Sequence, residues 1–424
     1  YASAEELHEA LAEQREPGAR APLVAGVGLA CALGVALAGA ALWKGRGAAA
    51  VSATPPPSPS QQTPSPPPQR ARSGVLDEAR GLVRDPPAPG SRRADALLRA
   101  RGRPLLTLDP GRWVFGAHFR GPNRLLTWGA DLFEWDLGGP GGGPRRPRRV
   151  AEANALVSHV VPGPGPGPTL LVFAEGSGRT WTLEGDRLEL LGPETPDAQP
   201  PAWSASGERV YLPAGTRLRV FDVARRTILE EHDYAPARVR RAAESADGRY
   251  RVLVLERNEG GGRRDELVVL DAAGAARSRQ WAGAQVEAVQ ALGPARFLLA
   301  VGHNVVVLDA ARGSSLRYEG DDVAGIGHSH QRSVSSLARA PARGFTLSTS
   351  GSGGALPARG DMRVWDAQGR QLHTYRIAAS AEAYPSAVCL DPEELVFALV
   401  WTRERADKRE PVSSYVELRL ADFR

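Results

Sequence analysis

The sequence predicts an all-β fold, a seven-bladed propeller, preceded by a single transmembrane helix. Three observations predict it. An uncharged run of 23 residues, Ala21 to Trp43, stands ahead of a proline-rich tract. From residue 104 onward, short apolar segments ending in an acidic residue recur seven times. Turn signals separate those segments, and no helical pattern comes between them.

Residues 1–16 read as a terminal helix. Ser3 followed by Glu6 is a capping-box pattern, Leu7, Ala10 and Leu11 fall at helical spacing, and Pro17-Gly18 stops the helix. The run from Tyr1 to Leu11, YASAEELHEAL, resembles the last helix of bacterial Hanks-type serine/threonine kinase domains. That resemblance implies a kinase domain ahead of Tyr1, and a chain starting without methionine fits that expectation. The Gly-rich loop, H-R-D and D-F-G motifs of such kinases are absent, so no catalytic residue carries over.

Residues 21–43 are long enough to span ~30 Å of hydrocarbon as a helix. Arg20 precedes the run, Lys44 and Arg46 follow it, and Trp43 stands where an interfacial aromatic belongs. Ala30, Gly34 and Ala38 recur at four-residue spacing, which would permit weak dimerisation through this helix. Flanking charge does not orient it. The kinase resemblance implies a cytoplasmic N-terminal side, and hence a single-pass membrane protein with an extracytoplasmic propeller.

Residues 44–103 read as a linker. The prolines from Pro55 to Pro68 favour extended polyproline II, a semi-rigid spacer. Residues 75–84 and 91–101 are expected to form short helical pieces.

The propeller is expected over 104–424. Its repeat is carried by Leu132-Phe-Glu-Trp-Asp136, Arg179-Thr-Trp-Thr-Leu-Glu184, Leu218-Arg-Val-Phe-Asp222, Leu267-Val-Val-Leu-Asp271, Val305-Val-Val-Leu-Asp309, Met362-Arg-Val-Trp-Asp366 and Val416-Glu-Leu-Arg-Leu-Ala-Asp422. The terminal acids stand 38 to 57 residues apart, the period of propeller blades. After Asp271, Asp309 and Asp366 a glycine follows within four residues. The carboxylate can accept backbone N–H groups and the glycine supplies positive φ, so each pair folds one strand back on the next. A second set of turns, such as Ser204 to Gly207, Ser245 to Gly248 and Asp391-Pro392, precedes another short strand in each unit.

One unit resembles a WD repeat, from Gly327-His328 to Trp365-Asp366. The resemblance implies a structural network of His328, a hydroxyl at Ser348 or Ser350, a turn aspartate and Trp365. The aspartate expected six residues before the tryptophan is Arg359 here. Trp135-Asp136 matches the same ending, and Asp222, Asp271 and Asp309 mark weaker copies. The last unit supplies three strands, and Pro104-Leu-Leu-Thr-Leu108 is a strand without a blade, so it is expected to close the ring.

Composition narrows the function. The formal charge of +5 is spread over 424 residues without a basic stripe, which argues against nucleic acid. Cys31 and Cys389 make no metal-ligand spacing. Glu393-Glu394 reads as adjacent strand positions facing opposite ways. No cofactor, metal or catalytic group is expected. The reading is a membrane-anchored, non-catalytic sensor, the C-terminal part of a receptor-like kinase, binding a protein, peptide or cell-envelope ligand. The long insertions 138–149, 256–264, 350–360 and 403–411 are the candidate contact surface. The alternatives are a hydrolase or lyase with its site in the channel, which would need convergent acids there, and an intracellular scaffold.

Overall fold

The computed structural model describes residues 75–84, 91, 92, 97 and, with short gaps, 103–423. Residues 1–16 and 21–43 lie outside the described residues, and so do Gly327 and His328. Among the described residues no helix is long and apolar enough to cross a membrane.

Among the described residues, twenty-eight strands form seven four-stranded antiparallel sheets. Six blades are consecutive: residues 114–151 (β2–β5), 159–190 (β6–β9), 202–233 (β10–β13), 238–281 (β14–β17), 286–317 (β18–β21) and 334–376 (β22–β25). The seventh has the order β1-β28-β27-β26. In the six consecutive blades the first strand is innermost and the last lies at the rim, whereas in the seventh β26 is innermost and β1 lies at the rim. The third strands are the repeat read above: β4 (Leu132–Asp136), β8 (Arg179–Glu184), β12 (Arg217–Asp222), β16 (Gly262–Asp271), β20 (Asn304–Asp309), β24 (Arg359–Asp366) and β28 (Pro411–Leu420). Second and third strands are buried on both faces, because each sheet packs between two neighbours. Leu267 and Val269 meet blade 5, while Val268 and Leu270 meet blade 3.

The turns after the third strands are built as expected. Asp271 Oδ1 accepts the amides of Ala273 at 3.0 Å and Ala275 at 2.9 Å. Asp366 Oδ1 accepts those of Gln368 at 2.9 Å and Arg370 at 2.8 Å. Gly274 and Gly369 hold φ of 83° and 81°, where a Cβ would be strained. Asp136, Asp222 and Asp309 each accept one amide of their turns. In the other set of turns, Ser204 Oγ accepts the amide of Arg209 and Ser245 Oγ that of Tyr250.

The ring closes through β1 (Leu106–Leu108), which pairs Leu106 with Leu418, Thr107 with Glu417 and Leu108 with Val416. Ser414 Oγ of β28 stitches blade 7 to blade 1, accepting the Val114 amide at 3.1 Å and approaching Val114 O at 3.3 Å.

The folded domain begins earlier than residue 104. Helix α1 (Val75–Arg84) buries Leu76, Ala79 and Val83 in the same core cluster as Leu108, Leu125, Leu395 and Leu420. Arg80 is 2 % exposed. Its Nε donates to Asp391 Oδ2 at 2.9 Å and its Nη1 to Asn123 Oδ1 at 2.8 Å, and Nη2 reaches the carbonyl of Pro122. Asn123 lies between β2 (Val114–Gly121) and β3 (Arg124–Gly129), whereas Asp391 lies between β26 (Ala383–Leu390) and β27 (Val396–Glu404). So α1 spans the seam between blades 1 and 7. The short helical piece expected over 75–84 is present, and its apolar stripe and a buried ion pair make it part of the ring and not of the linker 44–103.

Candidate functional site

The connections between second and third strands share one face of the ring with the links between blades. Three of the four insertions stand on that face: 256–264 in blade 4, 350–360 in blade 6 and 403–411 in blade 7. The fourth, 138–149, joins β4 to β5 (Arg148–Ala151) and lies on the opposite face, with α1.

The insertions of blades 6 and 7 rise from adjacent blades, and their stems are held from below and from the side. Below the blade 6 hairpin is a buried chain of hydrogen bonds. Trp365 Nε1 donates to Ser348 Oγ at 2.7 Å. Ser348 Oγ is 2.7 Å from His330 Nε2, and His330 Nδ1 is 2.7 Å from Asp361 Oδ1. Ser350 Oγ also donates to Asp361, and Arg363 Nε donates to its Oδ2 at 2.8 Å. Burial lowers the pKa of His330 against the pull of Asp361. A neutral imidazole that donates from Nδ1 and accepts at Nε2 satisfies every link. Burial raises the Asp361 pKa, but the bonds from His330, Ser350 and Arg363 outweigh it and hold the group at about 2.

The histidine of the described network is His330, while His328 lies outside the described residues. The aspartate is Asp361, four residues before Trp365 rather than six. Blade 1 has a partial copy: Trp135 Nε1 donates to Thr127 Oγ1 at 3.0 Å. Asp131, again four residues before the tryptophan, binds Arg112 at 2.8 Å and also Arg149.

Above the network Gly351 pairs with Gly360 across the hairpin. A Cβ at Gly351 would come within 2.5 Å of Tyr384 Cδ2 and 2.7 Å of Pro385 O. The two glycines thus let the blade 6 stem lie against β26 of blade 7. On the blade 7 stem Trp401 and Tyr415 are cross-strand partners stacked at 5.7 Å and 3°, and Arg403 covers Tyr415 at 4.6 Å. Trp401 Nε1 donates to Glu417 Oε2 at 2.9 Å, which fixes the stack.

The channel offers a cavity of ≈ 650 Å³ lined by inner strands of blades 2 to 6, with His159, Trp203, Arg241, Glu287, Gln290 and Ser335 among them. Arg241 is turned into backbone carbonyls, at 3.3 Å from Glu287 O and 2.9 Å from Arg240 O. Burial, and then the charge of Arg241, hold His159 at about 4, so it is neutral at pH 7. Glu393 and Glu394 are in a turn, not a strand: Glu393 pairs with Arg84, and Glu394 accepts the amides of Ala342 and Arg343. Among the described residues no three metal-ligating side chains cluster.

Sequence reasoning missed one carboxylate pair. On the long hairpin of blade 4, Glu256 of β15 (Tyr250–Glu259) faces Asp265 of β16, 7 % and 5 % exposed. Burial raises the Asp265 pKa. Its Oδ2 accepts the Val286 amide at 2.7 Å, and Glu256 faces Arg240 at 3.5 Å and Arg263 at 3.9 Å.

No known protein family matches the sequence, and no curated protein matches it. Solved structures do: 1282 chains match, so what is shared is a common fold. One is a chain in the crystal structure of the mitotic checkpoint complex, at a TM-score of 0.52 and 15 % identity, covering 76 % of this chain and 95 % of that one. At that identity the likeness is one of fold.

Proposed function

We propose that the chain is a ligand-binding propeller that recognises a protein, peptide or cell-envelope partner through the insertion-bearing face. One observation carries this reading: the stems of the blade 6 and blade 7 hairpins belong to adjacent blades and are locked by buried bonds and close glycine contacts. Stems of that kind are fixed before the partner arrives, which lowers the entropic cost of binding. The similar chain belongs to a complex, which fits a propeller used for assembly. Replacing 404–410 by a short Gly-Ser turn should abolish partner capture by the full chain and leave its melting temperature unchanged. Capture that survives this change and the equivalent change at 353–358 would exclude the face.

The sequence of 1–103 supports the rest of the proposal. Residues 21–43 anchor the chain as a single-pass membrane protein, 44–69 hold the propeller on a stalk, and 1–16 end a receptor-like serine/threonine kinase domain with the propeller outside the cytoplasm. Carbonate extraction that strips the full chain from membranes would defeat the anchor. The rival, a hydrolase or lyase, draws on Glu256 and Asp265. Turnover by the purified chain that disappears in Asp265→Asn would establish it.

A further inference from the structure

The outer crevice between blades 4 and 5 contains polar groups that the fold leaves unused. Leu267 and Val269 of β16 point toward blade 5, where they pack with Phe297, Leu299 and Leu308. Their partners on the rim strand β17 (Ala276–Trp281) are Gln280 and Ser278. Side chains opposite each other on a ladder share a face, so these two also look toward blade 5. Ser278 Oγ and Gln280 Nε2 are both buried without a hydrogen-bond partner among the described residues. Buried polar atoms in that state are costly, and a bound ligand offsets the cost.

The crevice opens on the face opposite the insertions into a cavity of ≈ 710 Å³, with Ser278 in its wall and Arg249, Arg277 and Arg312 around its mouth. The counter-charge there is small. Asp271 holds Arg277 at 2.8 Å and also serves two turn amides. Arg249 reaches Asp247 at 3.4 Å, and Arg312 bonds Asp309 through its backbone amide alone, with no ion pair of its guanidinium among the described residues. The mouth is therefore net cationic, with forked donors suited to carboxylates.

We propose that this crevice is a second binding site, distinct from the insertion-bearing face, that takes an extended acidic peptide. Its carboxylates lie at the mouth arginines, and its backbone bonds to Ser278 in the cavity wall.

The test is fluorescence anisotropy of the full chain with a labelled Glu-Ala repeat decapeptide, set against a Lys-Ala decapeptide and a phosphoserine version. Saturable binding of the anionic peptides is expected, and the phosphoserine arm shows which anion is preferred. Arg312→Ala should weaken it about tenfold, the loss of one charge-assisted hydrogen bond. Ser278→Ala should weaken it while raising the melting temperature, since it removes an unsatisfied hydroxyl. Arg187→Ala, which deletes an exposed charge on blade 2, should leave affinity unchanged. Absence of saturable binding overturns the proposal, as does equal loss in Arg187→Ala or unchanged affinity in both Arg312→Ala and Ser278→Ala.

Discussion

Ser348 holds the blade 6 network together, because its one hydroxyl accepts from Trp365 and donates to His330. Ser348→Ala leaves an indole N–H and an imidazole nitrogen buried without partners. The expected cost is about 1–3 kcal/mol, read as a lower urea midpoint at unchanged slope. Gly351→Val should act differently. The added side chain collides with Tyr384 and Pro385, so it should displace the hairpin and cost partner capture. Histidines make stability depend on pH. His118 is held at about 4 by burial and then by Arg120, His159 sits at about 4, and His330 is lowered too. In the unfolded chain histidines titrate near 6.5, so acid favours the unfolded state. The melting temperature should be flat above about pH 7 and fall between about 6.5 and 4, with Asp361 adding a further loss toward 2. A double variant His118→Asn, His159→Asn should have a shallower fall. The network itself was half legible in the sequence. Trp365 and both candidate hydroxyls, Ser348 and Ser350, belong to the network, whose described histidine and aspartate stand at 330 and 361, two positions after His328 and Arg359. Arg359, Asp361 and Trp365 all share one face of β24, since alternate positions of a strand do. A shift of two residues therefore keeps the geometry while it defeats a fixed spacing.

At the scale of elements, the seven third strands were legible because each is an apolar run closed by an acid and a turn. Their bounds held within two residues at the acid end, as at Leu420 against the expected Asp422. The closing strand was legible too, because an orphan strand and a three-stranded blade complete each other. Helix α1 was seen only as a short helical piece. Its apolar positions were visible, but what secures it is Asp391, 311 residues from Arg80, and no local pattern reports a partner so distant. Arg80→Ala strands the buried Asp391 carboxylate, which keeps only the amides of Leu395 and Val396. The expected loss is about 3 kcal/mol by urea denaturation. A chain beginning at residue 110, without α1 and β1, should melt markedly lower than one beginning at 70 or aggregate through the bared edge of β28. Equal stability of the two would show that neither element secures the ring. The rim strand β13 (Thr227–Asp233) illustrates how a free edge is kept safe. It is exposed throughout, and Glu230, Glu231, His232 and Asp233 make it a poor template for further pairing.

For the molecule as a whole, the ring assigns different work to its two faces. Three insertions crowd one face, while α1, the fourth insertion and the arginine-mouthed crevice lie on the other. None of this was legible as a surface, because strands near in sequence are spread around a circle. That two insertions rise from adjacent blades on one face follows only from the blade order. The N-terminal segment also enters the ring at its seam. Tension applied along the chain from that side would therefore load α1 and the Arg80–Asp391 pair first, and the three-residue ladder of β1 on β28 next. The helix becomes a mechanical fuse that gives way before the blades do. Stretching single molecules from the N-terminus in optical tweezers should then show a small, reversible lengthening ahead of the main rupture, and Arg80→Ala should erase that first step.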